Sequence, residues 1–192
     1  MKKESQVVFA RNVIEFVTVA AEFCTFLEHI ESMKRDTFVD ITLKILPLLY
    51  LKASLLPECE LMGDDNLESY VTEDIYEILR IDIASVMGEK DDYLEVFLPD
   101  MAYSDAPIKK CVSEDLADIY QDIKDFVFVF RLGLNETMND ALVYCKENFG
   151  LLWGQKLVNI MRALHNVKYN PNDETIEDNT CGEDDYHLEE DE

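Results

Sequence analysis

Along most of this chain apolar residues recur at spacings of three and four, the period of a helix with one buried face. Over 6–33 the positions Val8, Phe9, Val13, Phe16, Val17, Ala20, Phe23, Cys24, Leu27 and Ile30 predict one long helix, with Glu15, Glu22 and Glu28 outward. A second helix is predicted over 37–56 through Ile41, Ile45, Leu48, Leu49 and Leu55, with Asp36 as its N-cap. Pro47 inside it should kink it or remove one hydrogen bond. The short joint at 34–36 implies that the pair packs antiparallel.

Residues 57–69 read as a polar loop. Thr72 then caps a third helix, about 73–87, through Ile75, Ile78, Leu79, Ile83 and Val86, and Gly88 closes it. The stretch 89–112 is the least regular. Its Tyr93–Phe97 piece reads as a short helix or an extended segment, and Pro99 and Pro107 bound a long connection. Ser113, Asp115 and Leu116 start a fourth helix, about 114–131, which Gly133 ends. Asn135 opens a last helical region, 136–167, where Gly150 and Gly154 predict either two helices or one kinked helix.

Charge changes the picture more than length does. The 192 residues carry 17 Lys and Arg against 41 Asp and Glu, a formal net charge of -24. Every Lys and Arg precedes position 170, whereas 11 acidic residues and no basic ones fall in 170–192. That last segment is too acidic and too poor in apolar groups to fold alone, so it is expected to be a disordered tail. Direct nucleic-acid binding is not expected, because phosphate recognition needs clustered cations and no basic run exceeds two residues. An anionic membrane surface is disfavoured for the same reason, and no uncharged stretch is long enough to span a bilayer. Electrostatic steering would favour a basic partner. The five cysteines are odd in number and lack any CxxC pair, which suits a reducing, cytoplasmic setting.

The candidate chemistry is concentrated in the last third. Asp115, Asp118, Asp122 and Asp125 stand at i, i+3, i+7 and i+10, so they share one face of the fourth helix. Paired carboxylates on adjacent turns can hold Mg²⁺ when a facing helix supplies a second pair. The nearest such pair is Glu28 and Glu31, and the simpler expectation is a solvated acidic face. His165 follows Arg162 near the end of the last helix. It could act as a general base, and the plainer expectation is a partly buried ring suited to a helix C-terminus. Trp153, set beside Gly154, is expected to anchor the core, with a stacking platform as the alternative. No Glu-x-x-His occurs in the body, and P-loop, GxGxxG, HExxH and GxSxG motifs are absent. No cofactor and no dedicated metal site is expected.

Two segments carry a family resemblance. They are Leu116, Ala117, Asp118, Ile119, Tyr120, Gln121, Asp122, Ile123 and Lys124, and the run Phe149 to Gly154 continuing to Ala163, Leu164 and His165. With them the chain resembles a bacterial family known as domain of unknown function 5063. The pieces Val17 to Phe23 and Tyr93 to Phe97 are similar too, so the resemblance spans most of 10–167 and not the tail. It implies a helical domain and no particular activity. Gln155 stands where the family pattern has a basic residue, which argues against an anion site at that turn.

The expected fold is all-α, a bundle of five or six helices over 1–169 with a disordered acidic tail over 170–192. The expected function is a non-enzymatic interaction or regulatory module for a basic partner, with Asp115, Asp118, Tyr120, Asp122, Trp153 and His165 as its binding residues. The alternative is a metal-assisted or acid–base hydrolase with a pocket between the fourth and last helices, using His165, Asp118, Asp122 and Arg162.

Overall fold

The computed structural model describes residues 6–63, 67–95 and 108–170. The expected disordered tail, and Pro99 and Pro107, lie outside the described residues. Those described form an all-α bundle of six helices: α1 (Arg11–Leu27), α2 (Arg35–Ser54), α3 (Glu73–Met87), α4 (Val112–Arg131), α5 (Asn135–Asn148) and α6 (Gly154–Tyr169). A 3-10 turn at Val7–Phe9 precedes α1.

The first helix stops earlier than its apolar period implies. After Leu27 the chain turns, and Glu28 leaves the helix to meet Tyr120 and Lys124 of α4. Ile30 still reaches the core from that turn. Helix α2 runs back antiparallel to α1: Phe26 stacks on Phe38 at one end, and Asn12 Nδ2 donates to the Leu55 carbonyl at the other. Lys34, not Asp36, takes the N-cap position of α2, and it makes no side-chain cap bond. Asp36 stands in the first turn, where its charge suits the helix dipole. The helix continues through Pro47. Helix α3 has the sequence-derived limits, with the Thr72 hydroxyl accepting from the Ile75 N–H at 3.3 Å and Gly88 at φ 57°.

Two short strands, β1 (Asp92–Leu94) and β2 (Lys109–Cys111), pair antiparallel with Tyr93 opposite Lys110. The Tyr93 region is therefore extended. The hairpin sets the start of α4: Asp91 accepts from the Ser113 N–H at 2.8 Å and the Ser113 hydroxyl at 2.6 Å. This remote carboxylate serves the orphan donors that a local cap would serve.

Helix α4 is the centre of the bundle, packed against α1, α3, α5 and α6. Leu116, Ile119, Ile123, Val127 and Phe130 are all buried. Between α5 and α6 the chain forms a π turn, Phe149–Trp153, in which the Gly154 N–H bonds back five residues to the Phe149 carbonyl. The extra residue turns Trp153 fully into the core, where its indole N–H donates to the Cys145 carbonyl at 3.2 Å. The same carbonyl also accepts from the Phe149 N–H, so the indole adds a second donor to it. So the last helical region is two helices joined by a π turn.

Candidate functional site

The four aspartates of α4 do share a face, but that face is closed over at Asp115 and only partly open to solvent at Asp118, Asp122 and Asp125. Each carboxylate is answered by a different part of the chain. Asp115, only 4% exposed, accepts from the Tyr93 hydroxyl of β1 and lies 3.4 Å from Lys156 Nζ of α6. Asp118 accepts from the Tyr76 hydroxyl of α3 at 2.7 Å and pairs with the same Lys156. Asp122 accepts from Asn148 Nδ2 of α5 at 2.7 Å. Asp125 holds the segment before α3, accepting from the Ser69 hydroxyl at 2.5 Å and from the Tyr70 and Val71 N–H groups at 2.7 and 2.8 Å. The stripe is therefore not the freely solvated face expected: donors distant in sequence fold over it and leave three of the carboxylates partly exposed.

The electrostatics follow from this closure. Burial, reinforced by the carboxylate each one touches, pushes the phenols of Tyr76, Tyr93 and Tyr120 upward, so they remain donors. Burial alone would lower the Lys156 ammonium. The hydrogen bonds and charges of Asp118 and Asp115 outweigh it and move the group upward. A lysine so held is a cationic staple rather than a nucleophile. Asp122 is raised, chiefly by burial, against the opposing hydrogen bond from Asn148. Across the bundle Glu28 accepts from the Tyr120 hydroxyl at 2.8 Å and also pairs with Lys124. No group of three His, Cys, Asp or Glu able to hold a metal ion occurs among the described residues.

A shallow cleft of about 350 Å³ between α4 and α6 is lined by Asp118, Gln121, Asp122, Asp125, Leu152, Trp153 and Lys156. His165 and Arg162 do not join it. They are exposed on the other side of α6, along an apolar groove of about 510 Å³ with Pro47, Tyr50, Val158 and Met161. The His165 ring lies 4.6 Å from the ring of Tyr169, so the partly buried histidine expected from sequence is a surface residue. The structure therefore gathers Asp118 and Asp122 near Trp153 and leaves His165 and Arg162 apart. Asp115, Tyr120 and Trp153 are themselves buried.

Sequence reasoning missed the partners: Tyr76, Tyr93, Asn148 and Lys156. Of these only Lys156 left a signal, standing one position past Gln155, where a cation was looked for. It also missed a second anchor. Asp140, buried on α5, accepts from the Met62 and Gly63 N–H groups at 2.7 and 2.8 Å and pins the loop after α2.

Fold and site together define an all-helical bundle keyed around one central helix by internal carboxylates. The chain belongs to the family described as a domain of unknown function (DUF5063), whose model matches residues 7–170. Among solved structures it is similar to protein BF1032 from Bacteroides fragilis, known from a crystal structure. The two are 71% identical, with 88% of this chain and 99% of that chain covered and a TM-score of 0.80. No curated protein matches the chain. No helix among the described residues is long and apolar enough to cross a membrane.

Proposed function

We propose that this domain is a non-enzymatic interaction module that binds a basic partner through its acidic exterior. One observation carries the reading: the carboxylates and the lysine best placed for chemistry are already bonded to one another or to the fold. What faces outward is acid mixed with apolar surface. On α3, Asp74, Ile78, Ile81 and Ser85 are exposed and fall at i, i+4, i+7 and i+11, with Glu73 exposed beside them and Glu114 exposed at the start of α4. Such a face suits a basic amphipathic segment, apolar to apolar and cation to carboxylate. Of the residues named from sequence, Asp118, Asp122 and His165 line solvent-facing clefts where a partner can touch them.

This reading takes 1–169 as the module and 170–192 as an acidic extension that adds to the attraction. A reducing, cytoplasmic setting goes with it, since Cys24, Cys59, Cys111 and Cys145 are free thiols. A second reading, acid–base chemistry in the cleft between α4 and α6, draws on the raised proton affinity of Asp122 there.

The test is capture from lysate with the full chain and with a charge-reversed chain, Asp74→Lys with Glu73→Lys, at low and moderate salt. The expected result is a basic protein retained by the first, lost with the second and weakened by salt. Equal capture by both chains, or none by either, overturns the proposal. In that event, substrate screening against Asp122→Asn becomes the next step.

A further inference from the structure

We infer that the outer face of α2, with the adjoining side of α6, is the surface through which two copies of this chain associate. The argument begins with where the acid is not. In a chain with 41 acidic residues, neither 41–57 nor 148–172 contains one. These two stretches are most of α2, the π turn and all of α6, and they pack side by side. Lys168 reaches Asp40 at one end, and Tyr50 meets Phe149 edge-on at the other.

The lysines of this face are neutralised within the chain, and Arg162 stands exposed in the groove at its α6 side. Lys44 and Lys168 both pair with Asp40, whose carboxyl they hold down at about 2, and Lys52 pairs with Glu15. At the centre are exposed apolar side chains. Leu48, Leu51 and Leu55 fall at i, i+3 and i+7 and are 43%, 52% and 51% exposed, and Tyr50 and Val158 are exposed along the adjoining groove between α2 and α6. An apolar centre depleted of charge, with ion pairs at its edge, is the anatomy of a subunit interface.

Charge also selects the occupant. Two copies at -24 repel each other wherever acid meets acid. The acid-free face is where like copies can approach at small electrostatic cost, and a leucine row on a helix is self-complementary across a two-fold axis. An antiparallel α2–α2 contact over the acid-free part of the helix, 41–54 and so about 21 Å long, leaves the acidic faces outward.

Sedimentation equilibrium and light scattering on the full chain, over a range of protein and salt concentrations, test this. A reversible dimer is expected. It should strengthen with salt as the repulsion is screened, opposite in sign to the binding of a basic partner. Leu51→Glu should raise the dimer dissociation constant about a hundredfold, roughly tenfold from each copy, with the far-ultraviolet circular dichroism unchanged. Leu55→Glu should act in the same direction, and Ile78→Glu on α3 should leave the dimer intact. A monomer at every concentration and salt overturns the inference and leaves the leucine row to an unlike partner. A dimer indifferent to Leu51→Glu and Leu55→Glu overturns it as well.

Discussion

Gly150 lies within the π turn and Gly154 closes it four residues later, and the same substitution should act on them with opposite signs. A β-carbon at Gly150 would have nothing within 4 Å, and the residue is exposed without a positive φ. Gly150→Ala should therefore stabilise the fold by about 0.4–1 kcal/mol, by restricting the unfolded chain. A β-carbon at Gly154 would sit 2.3 Å from the Phe149 carbonyl oxygen and 2.9 Å from its ring. The hydrogen bond that defines the π turn is what brings that oxygen so near. Relief requires breaking the bond or shifting Phe149, which packs 4.7 Å from the buried Trp153 ring. Forcing an atom into such a site costs about 1–3 kcal/mol, and the better helix propensity of alanine returns about 1 at most. Because the clash is with a backbone oxygen at 2.3 Å, the cost falls at the upper end of that range, and a net loss of about 2 kcal/mol is expected for Gly154→Ala. Since about 1 kcal/mol corresponds to roughly 2–4 °C in a domain of this size, calorimetry should place the two variants on opposite sides of the parent Tm. If Gly154→Ala melts at or above the parent, the reading of the π turn is wrong.

Three further outcomes follow from the internal carboxylates and the thiols. Because burial raises Asp122 in the folded state, its stabilising contribution is full below the ordinary value of 3.8 and is lost as pH rises through the folded value. Asp122→Asn, which can still accept from Asn148, should thus raise the Tm at neutral pH, with the gain vanishing in acid; a gain independent of pH would refute this. Asp125→Ala should cost about 1–3 kcal/mol and speed hydrogen exchange at the Tyr70 and Val71 amides ahead of the α4 core amides. Among the four described cysteines, Cys59 and Cys111 should react first with a thiol reagent, as peptide mapping would show. Cys24, buried and pushed up to about 12, and Cys145, buried and likewise raised by burial, should wait for unfolding.

The helices were legible wherever one buried face met one wet face. Thr72, the apolar period and Gly88 bracketed α3 to the residue, because caps and period are local signals. The end of α1 was not legible, since Ile30 keeps the period while Glu28 leaves the helix for α4. The acidic stripe shows the limit most clearly. Its spacing says that four carboxylates share a face, and nothing local says whether that face is wet. The deciding donors, Tyr76, Tyr93, Asn148 and Lys156, stand 42, 22, 26 and 38 residues from their acceptors. Likewise Gly150 and Gly154 announced a break, and only the packing of Trp153 makes it a π turn.

The row of answered carboxylates on α4 also works as a key. Apolar side chains tolerate sliding and rotation, so a helix rich in valine, isoleucine and phenylalanine can seat itself in several nearly equivalent ways. Turning α4 by one residue swings its side chains by about 100°, and all four aspartates would then lose their donors together. The penalty for misplacement is thus collective, whereas the reward of each correct bond is modest. The carboxylates set which arrangement is adopted, and the apolar residues between them supply the cohesion once it is found.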